Sequence, residues 1–291
     1  MKTGFSGYNP ISGLLFYVFT FTVSLSATHP VTLITAAVCA FAYDIKLRGK
    51  KAVNTIIRLI LPMAVISALI NGFFNNSGET VLFTLPWGSP FTLEAVIYGL
   101  VFAVRAGSVL IWLGSFNEIM TDDKIMFLFG RISPKTALIL SMALRFIPLI
   151  MSQSEDIAKA EKGIGMSLTS GSFTKRLKCA SRRLSILVSW SLERGIDTMN
   201  SMTSRGYGVR RRTSYNRYRF GIRDAFLSLL IISGVVLSLL SKDSLSALFI
   251  PAIVIPFPSP LGIFTSVYLA FIMILPVIID IREERKWSLS A

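Results

Sequence analysis

Seven apolar runs dominate this sequence and restrict what the chain can fold into. They cover residues 11–27, 30–43, 56–74, 92–116, 225–240, 245–260 and 261–279. A membrane-spanning helix needs about 17–25 predominantly apolar residues, so the longer runs are typical of a membrane protein. Only 16% of the 291 residues are charged, whereas soluble domains average about 25%. The runs therefore predict an all-α polytopic membrane protein.

The positive charge, +14 in total, is concentrated in the middle of the chain. Residues 118–223 contain 19 basic and 8 acidic residues and carry +11, which leaves +3 for the rest. We therefore predict an N-terminal transmembrane region of four spans at 1–117, a cytoplasmic domain at 118–223, and a C-terminal transmembrane region with a cytoplasmic tail at 224–291. A soluble nucleic-acid-binding protein would explain the charge but not the apolar runs.

The basic loops predict the orientation of the spans, because cytoplasmic loops are enriched in Lys and Arg. Residues 46–51 contain four basic residues. Placing them in the cytoplasm also places the N-terminus there and residues 75–90 outside. Four prolines interrupt the run at 245–260, which we interpret as a re-entrant or interfacial segment. About six crossings then remain, with both chain ends in the cytoplasm, in the cell membrane of a prokaryote.

Two long amphipathic helices are predicted in the basic domain. The first follows Pro134 and ends near Gly163, and it is apolar on nearly all sides as far as Met151. The second runs from about Phe173 to Arg205. We expect both to lie at or under the membrane surface rather than to cross the membrane. Apolar residues three or four positions apart form a stripe along the second helix, namely Leu177, Ala180, Leu184, Val188, Leu192, Ile196, Met199 and Met202.

The two helices end in similar short sequences. Glu161-Lys162-Gly163 ends the first, and Ser204-Arg205-Gly206 ends the second. Gly tolerates the left-handed conformation at a helix C-terminus, and a cation in the last turn interacts favourably with the helix dipole. These structural reasons explain each ending alone. They do not require the same ending on two successive helices of one charged domain.

Ordered segments around these endings resemble the transmembrane T component of energy-coupling factor (ECF) transporters, the group that includes the CbiQ-type proteins of cobalt and nickel uptake. Residues 140–148 are similar to the segment that opens the family's first coupling helix. Residues 157–163 are similar to the stretch that ends in its first Ala-Arg-Gly motif, and residues 192–207 to the stretch that ends in its second. Arg105 in the fourth span and Thr121 after it also fit the family pattern.

The sequence departs from the family in both motifs. Glu161-Lys162 stands where the first motif has Ala-Arg, and Ser204 stands where the second has Ala. Because Lys lacks the planar five-donor guanidinium of Arg, the first motif is expected to bind more weakly or to use another acceptor. Arg194 lies 11 residues before Arg205. That separation is about three helical turns, so the two share a face and Arg194 is expected to assist.

The resemblance implies a coupling subunit that is not an enzyme. Two ATP-binding cassette ATPase subunits would hold the motif ends, and two crossed coupling helices would hold a small membrane-embedded S component that binds a vitamin or a transition-metal ion. ATP and Mg²⁺ would be bound by the ATPases, so this chain would need no cofactor or metal. The supporting residues would be Arg145, Arg194 and Arg105. The candidate contacts of the S component are Leu184, Val188, Leu192, Ile196, Met199 and Met202.

The nearest alternative is a permease subunit of another ABC-type importer, because it also docks on ATPases. It would use one short coupling helix between spans rather than two long basic helices. An intramembrane serine protease is disfavoured because the single histidine, His29, lies in a predicted outside loop and no Gly-x-Ser-Gly motif is present. A secondary transporter would place several ionisable residues near the midplane. Arg105 alone is found there, where a charge needs a partner.

Overall fold

The fold is described from a computed structural model of the chain. The described residues are 4–75, 78–84, 90–165, 172–208, 218, 220–241 and 259–290. The predicted re-entrant segment at 245–260 lies outside these ranges except for its last two residues, and it stays a prediction. The arginines at 210–212, 217 and 219, which contribute to the central charge, also lie outside them.

Within the described ranges, ten α-helices and one β-hairpin follow one another along the chain. They are α1 Pro10–Ser26, α2 Pro30–Arg48, α3 Lys50–Thr55, α4 Leu61–Phe74, β1 Val81–Thr84, β2 Pro90–Thr92, α5 Leu93–Ile119, α6 Asp122–Ile132, α7 Pro134–Gly163, α8 Phe173–Ser204, α9 Ile222–Leu240 and α10 Pro260–Ser290. A π-helical turn at Ile56–Ile60 joins α3 and α4 into one helix, Lys50–Phe74. The predicted all-α class is confirmed, with the antiparallel hairpin as a small addition.

Several helices begin with a polar residue followed by proline. The side chain of Asn9, for example, accepts a hydrogen bond from the Ile11 N–H at 3.0 Å. Proline suits the first helical position because its φ is already helical and its missing N–H would have had no helical partner. Local sequence therefore fixes where these helices start. The capping residues of this kind are Asn9, His29, Ser133 and Ser259.

Among the helices that the structure describes, six are long and apolar enough to cross a membrane, judged by length and composition alone. The number agrees with the prediction, but one member of the set differs. With 17 residues, α1 is a shorter apolar helix beside this set, at the lower end of the range of about 17–25 residues that a spanning helix needs. The set also includes α7, which we expected to be too polar. The charges of α7 cluster beyond Met151, so its first half is apolar enough. The six are α2, α3 with α4, α5, α7, α9 and α10.

One compact unit comprises residues 1–125 and 218–291. Within it α5 packs against α1, α2 and α4, while α10 packs against α2 and α9. The core of this unit is aromatic, with ring centroids 5.2–6.4 Å apart and mostly tilted or edge-to-face geometry. That geometry is preferred because the positive edge of one ring meets the negative face of another. The fully buried rings are Phe5, Phe16, Tyr17, Tyr43 and Trp112.

Close helix packing in this unit depends on Gly99 in α5. A Cβ at that position would lie 2.6 Å from the carbonyl oxygen of Ser67 and 2.8 Å from the Cα of Ala68, both in α4. The Ser67 hydroxyl donates to the Gly99 carbonyl at 2.9 Å. The missing side chain thus allows α4 and α5 to approach backbone to backbone.

A buried ion pair lies at the end of α2. Arg48 donates to the two carboxylate oxygens of Asp44 at 2.6 and 2.7 Å, and Asp44 is only 1% exposed. The Ser115 hydroxyl of α5 donates to the same carboxylate at 3.4 Å. Because the guanidinium and carboxylate satisfy each other, the charge of Asp44 can be held inside the unit.

The segment before α1 is held by carboxylates from the other end of the chain. The backbone N–H of Phe5 donates to Asp280 of α10 at 2.6 Å, and that of Asn9 donates to Asp224 of α9 at 2.9 Å. The Phe5 ring enters the aromatic core. The N-terminal segment is therefore an integral part of this unit.

The second compact unit comprises residues 126–217, and α7 and α8 form most of it. Glu161 near the end of α7 pairs with Arg183 in the first third of α8. Phe146, earlier in α7, lies 6.0 Å from Trp190, later in α8, between ring centroids. The residue that lies earlier on α7 therefore contacts the residue that lies later on α8, so the two helices run antiparallel. Their predicted crossing stays a prediction.

Candidate functional site

The end of α8 displays Arg205 on a well-defined cap. Gly206 has a φ of +79°, and its N–H donates to the Thr203 carbonyl at 2.9 Å. The Tyr207 N–H donates to the Met202 carbonyl at 3.0 Å. These two bonds with a left-handed glycine form a Schellman motif, which satisfies the last carbonyls of the helix. Arg205 is the capping residue directly before the glycine, and it is exposed.

The end of α7 differs from this arrangement, although the sequences look alike. Gly163 is the last helical residue, and the left-handed conformation belongs to Gly165, with a φ of +74°. The Gly165 N–H donates to the Lys162 carbonyl at 3.1 Å. The structural explanation by a left-handed C-terminal glycine therefore holds for Gly206 but not for Gly163, because α7 continues through Gly163. Lys162 is exposed, but it lies inside the last turn rather than at the cap.

Ser204 and Glu161 occupy the first position of the two motifs and have different surroundings. Ser204 is exposed, and its hydroxyl donates to the Asn200 carbonyl of its own helix at 2.8 Å. Glu161 is only 5% exposed and is turned towards α8. Its Oε2 accepts from Nε of Arg183 at 2.9 Å and also from Nη2. The first motif therefore combines a buried carboxylate, that of Glu161, with an exposed cation, that of Lys162.

Arg183 is the residue that sequence reasoning missed. It belongs to the basic run at the start of α8, where nothing distinguishes it from its neighbours. The available signal was the acidic residue at position 161, where the resembling family has Ala, since a buried carboxylate needs a cation. The other oxygen of Glu161, Oε1, has no hydrogen-bond partner among the described residues.

Cys179 lies one turn before Arg183 and is buried. Burial raises the pKa of the Cys179 thiol, and the neighbouring Glu161 carboxylate raises it further because both would be negative. The thiol therefore stays protonated and poorly nucleophilic.

In the part of the chain that the structure describes, no three His, Cys, Asp or Glu side chains are grouped to hold a metal ion.

The predicted apolar stripe of α8 is exposed along most of its length. Five of the six candidate contact residues are 51–66% exposed, and Met202 is half-buried. A run of exposed large apolar side chains on one helix face marks a surface that another apolar body can cover. The five exposed residues are Leu184, Val188, Leu192, Ile196 and Met199.

An apolar groove of about 590 Å³ continues this stripe between α7 and α8. Met199 and Met202 belong to both the stripe and the groove, which reaches Tyr207 just beyond Arg205. The capped end of α8 therefore lies directly beside an apolar surface. The other lining residues are Met142, Ala143, Phe146, Ile147, Ile150, Gly195, Thr198 and Thr203.

The three predicted supporting arginines have three different environments. Arg194 lies over the ring of Trp190, with 5.5 Å from its guanidinium carbon to the ring centroid. Trp190 is one turn earlier, so this cation–π contact draws Arg194 back along α8, away from Arg205. Arg145 is exposed on α7, and Arg105 is half-buried in α5. The Nε of Arg105 has no hydrogen-bond partner among the described residues.

Known proteins are similar to this chain over a stretch that includes the ends of both α7 and α8. A family described as cobalt transport protein CbiQ matches residues 5–215. Three relatives are each named energy-coupling factor transporter transmembrane protein EcfT. The relative from Brevibacillus brevis is 27% identical over 244 residues, covering 78% of this chain and 90% of the relative. The relative from Bacillus selenitireducens is 28% identical over 179 residues, covering 58% of this chain and 66% of the relative.

The third relative, from Listeria innocua, is more similar over a shorter stretch. It is 38% identical over 103 residues, which cover 34% of this chain and 39% of the relative. The chain thus spans less than half of that relative and nine tenths of the one from Brevibacillus brevis.

Proposed function

The chain belongs to the CbiQ family, and from that membership we propose that it is the transmembrane T component of an ECF-type ABC importer. It is a bacterial membrane protein and a transporter component rather than an enzyme. The observation that carries the proposal is a pair of exposed cations, Lys162 and Arg205, at the ends of two long antiparallel helices. Both lie within the stretch that matches the family.

The two cations are proposed to dock on two ATP-binding cassette ATPase subunits. A guanidinium or ammonium group at a helix end can form charge-assisted hydrogen bonds with an acidic groove. The cap at Gly206 fixes the backbone of Arg205, so little conformational freedom would be lost on docking. Closure of the ATPase dimer on ATP and Mg²⁺, both bound by the ATPases, would then move α7 and α8.

The exposed face of α8 is proposed to hold a membrane-embedded S component. Leu184, Val188 and Leu192 begin a stripe that continues into the groove with α7. A very apolar small subunit could cover this face and remove its side chains from water. Motion of α8 would then be passed to the S component, which binds a vitamin or a transition-metal ion. We also propose that both chain ends lie in the cytoplasm, as the basic loops predict.

The decisive experiment reverses the charge of Arg205. The complex of full-length chain, ATPases and S component is reconstituted in liposomes, and uptake is measured beside capture of the ATPases. Arg205→Glu should insert normally but weaken ATPase capture by about 30-fold or more, since an unpaired charge at such a contact costs about 2–5 kcal/mol. Lys175→Glu reverses an exposed charge at the other end of α8 and is the matched control.

Lys162→Glu should act in the same direction with a smaller effect, because Lys offers a point charge rather than a planar fork. A chain carrying both reversals that still captures the ATPases with wild-type affinity would refute docking through these two helix ends. Unchanged uptake by Arg205→Glu alone would refute the role assigned to Arg205.

A further inference from the structure

We propose that the Glu161–Arg183 ion pair is a positioning pair, which fixes the last turn of α7 against α8 and thereby directs Lys162 outwards. The role assigned to Lys162 rests on the proposed function, whereas the anchoring of α7 does not. The pair is asymmetric, because Nε and Nη2 of Arg183 both donate to the same carboxylate oxygen, Oε2 of Glu161. The side chains are 6% and 16% exposed for Glu161 and Arg183.

The burial pattern of α7 places the anchor at its end. The buried residues of this 30-residue helix are Ile157 and Glu161, which are four positions apart and so share one face. On α8 the corresponding face carries Cys179 and Arg183, also four positions apart, and Cys179 is buried. A polar contact and its buried neighbours thus lie where α7 ends, immediately before Lys162.

Helix geometry links this anchor to the direction of Lys162. Successive residues of an α-helix point about 100° apart, so adjacent side chains do not face the same way. Holding Glu161 on α8 therefore sets the rotation of the last turn, and Lys162, about 100° further round the helix, is held on its exposed side. If the pair were broken, the turn could rotate or fray and Lys162 would lose its fixed direction.

An exposed ion pair on the same helix provides a contrast. Lys159 and Asp156 are 3.0 Å apart, but their side chains are 74% and 61% exposed. Such a pair contributes little because water screens it and both long side chains lose freedom. Removing it should leave the end of α7 unchanged, so Asp156→Asn is the matched control.

Cys179 provides a native reporter of the anchor. The test measures maleimide modification of Cys179 by mass spectrometry in the full chain, with Cys39 replaced by Ala. Glu161→Gln and Arg183→Gln should each speed modification by about tenfold, the effect of losing a charged hydrogen bond. Removing the Glu161 charge also favours the thiolate, whereas removing the Arg183 charge disfavours it. Faster modification in both variants therefore reports exposure rather than thiol acidity.

Functional readouts separate positioning from mere stability. In the reconstituted complex, both single variants should lower the substrate moved per ATP hydrolysed, while ATPase capture through Arg205 persists. The charge-swapped chain Glu161→Arg with Arg183→Glu should recover both slow Cys179 modification and coupling, and Asp156→Asn should match wild type.

Three results would overturn the inference. The first is wild-type protection of Cys179 in Arg183→Gln, which would mean that the pair does not anchor α7. The second is faster modification with unchanged coupling, in a complex where Lys162→Glu lowers uptake. The third is failure of the charge swap to restore either readout. If Lys162→Glu itself leaves uptake unchanged, the role proposed for Lys162 fails instead, and Cys179 modification alone still decides whether the anchor exists.

Discussion

Two glycines with the same place in a sequence motif should respond in opposite ways to alanine. Gly206 has a φ of +79°, whereas Gly163 is the last residue of α7 and has no positive φ. An added Cβ would meet no atom within 4 Å at either position. Neither substitution therefore creates a steric clash with a neighbouring residue. Any difference between their effects on stability reports the different backbone conformations of the two positions.

The expected magnitudes follow from that difference. Gly206→Ala places a Cβ in the left-handed region, which costs about 1–2 kcal/mol. Opening of the Schellman cap should become about 5- to 30-fold more frequent. Gly163→Ala instead places Ala in helical conformation, where it is favoured over Gly by up to about 1 kcal/mol. Gly165→Ala, at a φ of +74°, should resemble Gly206→Ala.

Hydrogen exchange of the full-length chain measures these effects directly. The Tyr207 N–H donates to the Met202 carbonyl. It should exchange faster in Gly206→Ala and at the wild-type rate in Gly163→Ala. The last-turn amides of α7 should exchange more slowly in Gly163→Ala. If both substitutions shift exchange in the same direction, the assignment of different roles to the two glycines is refuted.

Three further predictions concern the unit formed by residues 1–125 and 218–291. Gly99→Ala should destabilise the protein by about 1–3 kcal/mol through overpacking, measured by thermal unfolding in detergent, whereas Gly195→Ala, with no atom within 4 Å, should not. Asp44→Asn should lower the free energy of unfolding by about 3 kcal/mol, because it leaves the largely buried guanidinium of Arg48 unpaired. Lys46→Gln removes an exposed ion pair with Glu284 and should change the free energy of unfolding by no more than about 1 kcal/mol. Burial lowers the pKa of Lys124 from 10.5, so its unfolded form holds the proton more tightly. Stability should then rise with pH between the lowered pKa and 10.5, and this rise should be absent from Lys124→Met; equal pH slopes would contradict it.

Helix boundaries were the most predictable feature of this chain because local residues set them. The sequence predicted helices from just after Pro134 to near Gly163 and from about Phe173 to Arg205. The structure has Pro134–Gly163 and Phe173–Ser204. Proline at the first position of α7 and the left-handed Gly206 after the end of α8 act within a few residues of those boundaries, so no tertiary information was needed there.

The roles of individual motif residues were less predictable, since they depend on distant partners. Glu161 and Lys162 are adjacent in sequence, yet Arg183 turns only the first of them inwards. Gly163 matched the expected helix ending, but the end of α7 took its left-handed residue two positions later, at Gly165. Arg194 was expected to share a face with Arg205, which stays a prediction, and its guanidinium lies over the ring of Trp190. Periodicity identifies faces, and only the neighbouring helix decides how each face is used.

The hydrogen bonds from Phe5 and Asn9 to α10 and α9 have a consequence for biogenesis. Their acceptors lie 275 and 215 residues further along the chain. Residues 5–9 therefore cannot reach their final place until α9 and α10 have been made and inserted. Contacts of such high sequence separation form late in folding. In a ribosome-bound nascent chain that lacks α10, residues 5–9 should be cleaved by added protease. They should become protected once α10 has been made, because Phe5 then has its acceptor, Asp280.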